Sequence, residues 1–295
     1  MHRFDLRFSA LVCGWICLLA FTPARAEHFL WEVRSITGSA YLFGTIHAGR
    51  KEWFPLPAPV EQAFADSPVL VVEADVTNSE AMAKGVSSMG YAPPDELSKH
   101  VPPEDYARFR TQLARMGIPE KNAKVMKPFV AASMLMFAEW EHAGFFPQYG
   151  IDAYLIAKAK ATKKKVVELE GVDAQAAIMD SLTEEEHRRA FAGTLQALEQ
   201  GLIGEQLEGM VKAWESGDAF LMLELSRRYN EKIPGAREME EKFIWSRHEA
   251  MLAKIEGWLN HSGERHFIAV GALHLAGKRG LVEQLRAKGY LVRQK

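Results

Sequence analysis

Apolar runs of strand length alternate along the chain with longer stretches of helical periodicity, and one combination occurs near both ends. Near the front, an apolar run leads into residues 44–47, which read GTIH. Near the end, a second run leads into residues 271–274, which read GALH. Short apolar runs that stop at a glycine are typical of buried β-strands. The pattern therefore predicts a strand followed by a GxxH loop in both places.

A helical pattern and another apolar run follow each of these loops. The helical patterns begin at Val60 and Val282, and the apolar runs lie at residues 69–72 and 290–292. Each end of the chain therefore reads as strand, GxxH loop, helix and strand. We predict an α/β fold whose central, mainly parallel sheet is built from these two pseudo-repeated units, with a helical region between them.

The histidines of the two GxxH loops are the first candidates for chemistry. Crossover connections make strands parallel, and ligands collect outside the carboxyl ends of parallel strands. We expect His47 and His274 to meet there, at the exposed rim of the sheet, around one site. The alternative is that each is a hydrogen-bonded loop histidine without a function.

Carboxylates stand at the ends of two further predicted strands. Glu73 follows the run at residues 69–72, and the period-two geometry of a strand places Asp75 on the same side. Glu170 ends another run, at residues 165–169. Glu73 is either a site residue or a solvated strand end. Glu170 is either a metal ligand, a partner of one, or the cap of the following helix.

An arginine interrupts the apolar stripe of the last long helix, which we predict over residues 237–260. Arg247 lies on this stripe, and a buried arginine needs an anionic partner because an unpaired buried charge is costly. Two interpretations are open: a structural ion pair with Glu73 or Glu170, or a contact to the oxyanion of a substrate. The neighbouring His248 either shares the site or is a packed or exposed histidine.

Residues 1–26 have the features of a signal peptide. They contain a basic start, an apolar stretch shorter than the about 20 residues of a membrane span, and a small-residue cleavage site ending at Ala26. No later segment offers a span, so we expect a periplasmic or secreted protein. Cys13 and Cys17 both lie in this segment. The mature chain would therefore have no disulfide, no thiolate nucleophile and no cysteine metal ligand.

Composition narrows the classes of partner. The chain has 36 Lys and Arg against 38 Asp and Glu, a formal net charge of −2, which argues against nucleic acid. We predict a single mature domain over residues 27–295, with a helical insertion at about residues 95–245. The sequence does not set an oligomeric state.

The ordered set of motifs resembles a known family. Residues 44–47, the segment 270–277 and the acid Glu73 together are similar to the TraB/GumN family. Its relatives include the Tiki metalloproteases, the erythromycin esterases and the ChaN-type haem-binding proteins. The resemblance also includes Gly150-Ile151-Asp152, Leu169-Glu170, Gln175, Trp214, Gly217-Asp218 and Arg247. It covers nearly all of the mature chain, and it departs from the family at His248, where relatives often have asparagine.

The resemblance implies a site lined by both GxxH histidines and by acidic residues. In Tiki-like members that site is thought to bind a divalent metal and cut peptide bonds; in esterase-like members a histidine activates water without a certain need of metal. Two imidazoles and a carboxylate form the ligand set of a catalytic zinc, and they also suit manganese or cobalt. The predicted metal ligands are His47, Glu73, Glu170 and His274. The predicted catalytic residues are His47, Glu73, Arg247 and His274.

Together these observations predict an exported, metal-dependent hydrolase, similar to a metalloprotease, that acts on a peptide or a small ester. Bound metal would activate a water molecule and polarise the substrate carbonyl. The alternative is a periplasmic binding protein without catalysis, which sequesters a peptide, haem or a metal ion. A third possibility is a scaffold in envelope biogenesis whose histidines have no chemical role. Metal content and turnover distinguish the three.

Overall fold

Six strands form one sheet in the computed structural model, which describes residues 28–78, 80, 89–261 and 263–295. The strands are β1 (Leu30–Arg34), β2 (Ser39–Thr45), β3 (Val69–Val72), β4 (Lys165–Glu168), β5 (His266–Gly271) and β6 (Leu291–Gln294). Their order across the sheet is β4-β3-β5-β2-β1-β6. β1 is antiparallel to both of its neighbours, and the other pairs are parallel. The mainly parallel α/β sheet is confirmed. The predicted signal peptide, Cys13 and Cys17 lie outside the described residues.

Helices connect and cover the strands. They are α1 (Ala58–Ala65), α2 (Pro103–Arg115), α3 (Pro128–His142), α4 (Ile151–Ala161), α5 (Val172–Asp180), α6 (Glu184–Glu199), α7 (Leu202–Glu215), α8 (Ala219–Lys232), α9 (Ala236–Phe243), α10 (His248–His261) and α11 (Leu281–Ala287). No helix in the described part of the chain combines the length and the apolar character needed to cross a bilayer.

The central strands are apolar on both faces because helices cover both sides of the sheet. All four residues of β3 are buried, and so are the first five of β5. Burial of a large aliphatic or aromatic side chain contributes roughly 1.5 to 3 kcal/mol, so this core is the main source of stability. A second apolar cluster lies among the middle helices, with Phe109, Leu135 and Phe191 fully buried at its centre.

The two strand–GxxH–helix–strand units interleave in the sheet. β5 lies between β2 and β3, so the second unit inserts its first strand into the first unit. β6 is separated from β5 by β2 and β1. The two GxxH loops therefore follow neighbouring parallel strands. That the sheet is built from two pseudo-repeated units stays a prediction, as do the predicted domain limits.

The prediction of one continuous helix over residues 237–260 is wrong. α9 ends at Phe243, a 3₁₀ turn covers Trp245–Arg247, and α10 begins at His248. Ile244 has φ −120° and ψ −69°, which are not helical values. No glycine or proline marks this break, so no local sequence signal predicts it. The turn places Arg247 at the carboxyl end of the sheet rather than on a helix stripe.

The expectation that Glu73 and Asp75 share one side is also wrong. β3 ends at Val72, so the alternation of a strand does not extend through Asp75. Asp75 accepts hydrogen bonds from Thr77 and from the ammonium group of Lys160, 3.0 Å away. It therefore lies in a surface ion pair, away from the cleft that Glu73 lines.

Candidate functional site

A cavity of about 330 Å³ opens at the carboxyl ends of β2, β3 and β5. His47, Glu73, Arg247 and His274 all line it, so the structure brings four predicted site residues to one place. Strand pairing explains this convergence, because Thr45 at the end of β2 is directly opposite Gly271 at the end of β5. Glu170 does not line the cavity but contacts it through Arg247.

The first glycine of each GxxH loop allows a close approach. A Cβ atom on Gly44 would lie 2.4 Å from the Phe29 ring and 3.0 Å from the Cα atom of Ala272, which belongs to the second loop. Gly271 turns its N–H toward Glu73, whose Oε1 atom accepts it at 2.7 Å. A side chain at Gly44 would push the two loops apart, whereas a Cβ atom at Gly271 would make ordinary contact with Oε1 of Glu73, 3.4 Å away.

His47 is held by a carboxylate that sequence reasoning did not assign to the site. Its Nδ1 atom lies 3.0 Å from Oδ2 of the buried Asp152, whose Oδ1 accepts the Thr45 hydroxyl at 2.8 Å. Nδ1–H therefore donates to Asp152, and none of the described residues bonds Nε2 of His47. Loss of water around the ring lowers the pKa of His47, but the hydrogen bond and charge of Asp152 outweigh it and raise that pKa above its ordinary value. The ring is 59% exposed, so water still reaches it.

The start of α4 docks directly on the first GxxH loop. The Ile151 N–H donates to the carbonyl of Ile46 at 3.0 Å. A Cβ atom on Gly150 would lie 2.4 Å from the His47 carbonyl oxygen, so this approach needs glycine. The sequence signal for Asp152 is a glycine, Gly150, followed two residues later by an acid at the start of a helix. This pattern does not indicate that His47 is the partner of Asp152.

Glu73 is buried and accepts hydrogen bonds at both oxygens. Oε1 accepts the Gly271 N–H, and Oε2 accepts the Gln175 amide at 3.2 Å and the guanidinium of Arg247. Burial raises the pKa of Glu73, but the charge of Arg247 and the Gly271 N–H outweigh it and hold that pKa well below its usual range. Glu73 is therefore an ionised carboxylate with a fixed orientation.

Arg247 uses all five of its N–H groups within the protein. Nε donates to both oxygens of Glu170, at 3.0 and 3.1 Å. Nη1 donates to the Phe243 carbonyl at 2.6 Å and to Nε2 of His274 at 3.2 Å. Nη2 donates to Glu73 and to Glu170. The arrangement favours the structural interpretation of Arg247, since no N–H group is left for an oxyanion. Glu170 is its partner and makes no cap bond to α5.

His274 is buried rather than exposed at the rim. Only 1% of the residue is accessible, so the expectation of an exposed rim position is wrong for this histidine. Burial lowers the pKa of His274 to about 3, which leaves the ring neutral at neutral pH. Its Nδ1 atom lies 2.8 Å from Nε2 of His248, which is also buried. His248 thus contacts the site, as one of the two interpretations for it predicted.

The predicted metal ligands do not fit a divalent ion as they are arranged. Among the described residues, no group of three or more His, Cys, Asp or Glu side chains is placed to hold one. The guanidinium of Arg247 lies between the carboxylates of Glu73 and Glu170 and takes the Nε2 lone pair of His274. The predicted ligand atoms of Glu73, Glu170 and His274 are therefore already bonded to a cation, the guanidinium of Arg247. An ion could reach them only if Arg247 moved away.

The middle helices supply apolar walls to the cleft. The uncharged lining residues of α3, α5, α7 and α8 are Trp140, Gln175, Ile178, Met179, Gln206, Leu207, Met210, Val211 and Met222. Charged and titratable groups are confined to the floor described above. Methionine side chains adapt to irregular apolar partners, so these walls suit an uncharged, apolar group.

Comparisons with known proteins extend over nearly the whole described chain. The sequence model of the TraB/PrgY/gumN family matches residues 29–294. Uncharacterized protein YbaP of Escherichia coli (strain K12) is 26% identical over 273 residues, which are 89% of this chain and 95% of YbaP. Metalloprotease TIKI1 of Danio rerio is 24% identical, with 90% of this chain and 62% of TIKI1 aligned. Metalloprotease TIKI2 of Xenopus tropicalis is 26% identical, with 94% of this chain and 61% of TIKI2 aligned. No solved structure matches the chain at comparable significance.

Proposed function

Because the chain belongs to the TraB/PrgY/gumN family, we propose that it is a hydrolase that cleaves a peptide bond, or the bond of a small ester, in this cleft. Two relatives are named metalloproteases, which favours a peptide over an ester. The observation that carries the proposal is the pair of His47 and Asp152. It presents an oriented imidazole whose Nε2 atom has no hydrogen-bond partner among the described residues, beside a buried carboxylate and a neutral histidine.

His47 is the proton carrier of the proposed reaction. When the ring is neutral and Nδ1–H donates to Asp152, Nε2 takes the proton of the attacking water and returns it to the leaving group. Because Asp152 raises the pKa of His47, the neutral ring becomes more populated as the pH rises through that pKa. Asp152 holds the ring in this tautomer and stabilises its protonated form, as a carboxylate does for histidine in hydrolytic triads. The Thr45 hydroxyl fixes the other oxygen of Asp152, so the carboxylate cannot rotate freely.

Glu73 and His274 form the opposite side of the site. Their acceptor atoms, Oε1 and Nε2, are 3.6 Å apart, and Arg247 holds both side chains in place. In the proposed reaction Oε1 of Glu73 accepts a hydrogen from the water molecule and orients it, while Nε2 of His274 accepts an N–H group of Arg247 and helps to hold that guanidinium in place. Arg247 is a positioning residue, because it contacts these two groups rather than the substrate.

A metal-dependent reaction is the second candidate, and the names of the TIKI relatives favour it. Zinc, manganese or cobalt would supply a Lewis acid and an activated water if it bound. Because the donor atoms of Glu73, Glu170 and His274 are bonded to Arg247, this candidate requires a different position of Arg247. The protein's own residues perform the steps described above without that change.

The walls of the cleft support an apolar group next to the bond that is cleaved. The cavity of about 330 Å³ has about twice the volume of the roughly 150 Å³ cavities that bind benzene. It therefore has room for one large apolar side chain. If residues 1–26 direct export, as their pattern predicts, the substrate is met outside the cytoplasm.

Turnover of a peptide library by the purified protein tests the proposal. We expect cleavage by the wild type and a loss of about 10²- to 10⁴-fold in kcat/KM for His47→Gln, the range of general acid–base catalysis. The matched control is His142→Gln, since His142 is exposed and does not line the cleft. Tight peptide binding without cleavage would instead support the binding-protein alternative. Equal activity of His47→Gln and wild type would overturn the assignment of His47.

A further inference from the structure

We propose that His248 is a positioning residue that fixes the tautomer of His274, so that Nε2 of His274 accepts an N–H group of Arg247 at the floor of the cleft. The inference concerns the site of the proposed hydrolase. Only the expected effect of His248 on turnover rests on the proposed function. The juxtaposition that carries it is a chain of hydrogen bonds from a backbone carbonyl through two buried imidazoles to Arg247.

The first bond of the chain decides the tautomer of His248. Its Nδ1 atom lies 2.7 Å from the carbonyl oxygen of Arg279. A carbonyl oxygen can only accept, so Nδ1 of His248 must carry the proton. The Gln284 amide nitrogen, 3.3 Å from the same atom, donates instead to the Arg279 carbonyl at 2.5 Å.

The second bond makes the tautomer of His274 depend on that of His248. A neutral His248 that is protonated at Nδ1 has only a lone pair at Nε2. Nδ1 of His274, 2.8 Å away, must therefore donate to it. A cationic His248 would instead donate from its Nε2 and leave the proton of His274 on Nε2, facing the N–H group of Arg247 at 3.2 Å.

The third contact checks the assignment independently. A neutral His274 with its proton on Nδ1 has a lone pair at Nε2, and Nη1 of Arg247 points an N–H group at that atom from 3.2 Å. Arginine can only donate, so the opposite tautomer would place two hydrogens between the same atoms. Both ends of the chain, a carbonyl and a guanidinium, thus require the same direction for every bond.

This chain of hydrogen bonds gives the two GxxH histidines different roles. His47 is paired with a carboxylate, which favours a protonated ring, whereas His274 is paired with a second imidazole and an arginine. His274 accepts an N–H group of Arg247 at Nε2 and donates from Nδ1 to His248, so both of its ring nitrogens are bonded within the protein. Without an acceptor at position 248, Nδ1–H of His274 would be buried and unsatisfied, and the ring would change tautomer to avoid that cost.

Nitrogen NMR of histidine-labelled protein tests the inference, because the two tautomers give different chemical shifts at the two ring nitrogens. His274 is assigned from the spectrum of His274→Gln. We expect the wild type to show the Nδ1–H tautomer of His274. We expect His248→Leu to lose it and His248→Gln, whose amide oxygen replaces the acceptor, to retain it. The matched control is His266→Leu, a buried histidine whose Nδ1 atom lies 3.0 Å from the carbonyl oxygen of Glu264, and it should leave the His274 signals unchanged.

Turnover gives a second measurement. If the proposed hydrolysis occurs, His248→Leu should lower kcat about 10- to 100-fold, the usual effect of removing a residue that orients a site histidine, and His248→Gln should restore most of it. An Nε2–H tautomer in the wild type, or an unchanged tautomer in His248→Leu, would overturn the inference. Absence of turnover with the expected NMR result would instead contradict the proposed function alone. If His248→Leu does not fold, the wild type and His248→Gln spectra still decide the question.

Discussion

Arg247 and Glu73 form an ion pair in which each side chain is only 9% exposed. Glu170, at 11%, completes a buried cluster of one cation and two anions. Such a cluster costs desolvation when it forms, and it costs more when one partner is removed. The cluster ties the ends of β3 and β4 to the turn before α10, so it is a structural element as well as part of the cleft floor.

Arg247→Met should lower the free energy of unfolding by about 3 to 5 kcal/mol, because it leaves two buried carboxylates without a cation. Denaturant unfolding measures this. Arg188→Met, which removes an exposed arginine paired along its own helix, is the control and should cost less than about 1 kcal/mol. Full stability of Arg247→Met together with lost turnover would instead support direct contact between Arg247 and a substrate oxyanion.

Asp152→Asn should lower kcat of the proposed hydrolase while the fold is retained. The amide can offer its N–H₂ group to Nδ1 of His47, which would move the proton of the ring to Nε2 and reverse its orientation for catalysis. Because the two residues act as one unit, the double variant Asp152→Asn/His47→Gln should be about as slow as His47→Gln alone. Additive losses in kcat/KM would show that Asp152 does not act through His47.

The position of Arg247 leads to a prediction about metal. We expect the wild type to take up less zinc, manganese or cobalt in equilibrium dialysis than Arg247→Met, since that variant frees the carboxylates and the His274 lone pair. Removing His274 as well, in Arg247→Met/His274→Gln, should reduce the uptake again. Stoichiometric uptake by the wild type that is lost in His47→Ala would contradict this and would support the metal-dependent candidate.

Met210→Lys should weaken the binding of apolar substrates, because Met210 lines the cleft and a buried ammonium group is costly. The expected result is a higher KM for peptides with a leucine or phenylalanine beside the cleaved bond. Glu208→Lys is the control, since Glu208 is exposed on the same helix and does not line the cleft. A KM unchanged in Met210→Lys would place the substrate elsewhere.

A pH effect on stability is expected at the start of α6. Glu186 and Thr183 form a capping box, and Lys242 also bonds the carboxylate. These contacts, the Thr183 N–H first among them, lower the pKa of Glu186 to about 2. Its contribution is therefore fully present above the unfolded pKa of about 4.5 and is lost as the pH falls toward 2.

Glu186→Gln should accordingly cost about 1 kcal/mol at neutral pH, and the difference from wild type should shrink as the pH falls below 4.5. Glu185→Gln, at an exposed position in the same helical turn, is the control. A difference that stays constant down to low pH would show that the charge of Glu186 is not what stabilises the helix.

Much of the sheet and the meeting of the histidines in one cleft could be predicted from residues alone. Apolar runs ending at Gly44 and Gly271 predict two strands, which the structure pairs in parallel. The equal spacing from each glycine to its histidine predicts that both loops lie at one edge of the sheet. The partners of those histidines could not be predicted. Asp152 comes from a helix 105 residues after His47, and nothing local indicates that pairing.

The surroundings of each site side chain could not be predicted from the sequence either. His47 and His274 occupy the same place in their motifs, yet one is exposed beside a carboxylate and the other is buried beside an imidazole. The apolar stripe predicts that Arg247 needs an anionic partner. That both Glu73 and Glu170 contact Arg247 depends on the break at Ile244, which only long-range packing produces.

The order of strands also determines when the cleft can exist. β5 is synthesised after β1, β2, β3 and β4, yet it fills the gap between β2 and β3. Until it arrives, β2 and β3 have unpaired edges, and joining segments so far apart in the chain is slow. A chain synthesised only as far as residue 265 therefore has His47 but neither β5 nor the loop that contains His274, so any activity begins only after these have been made.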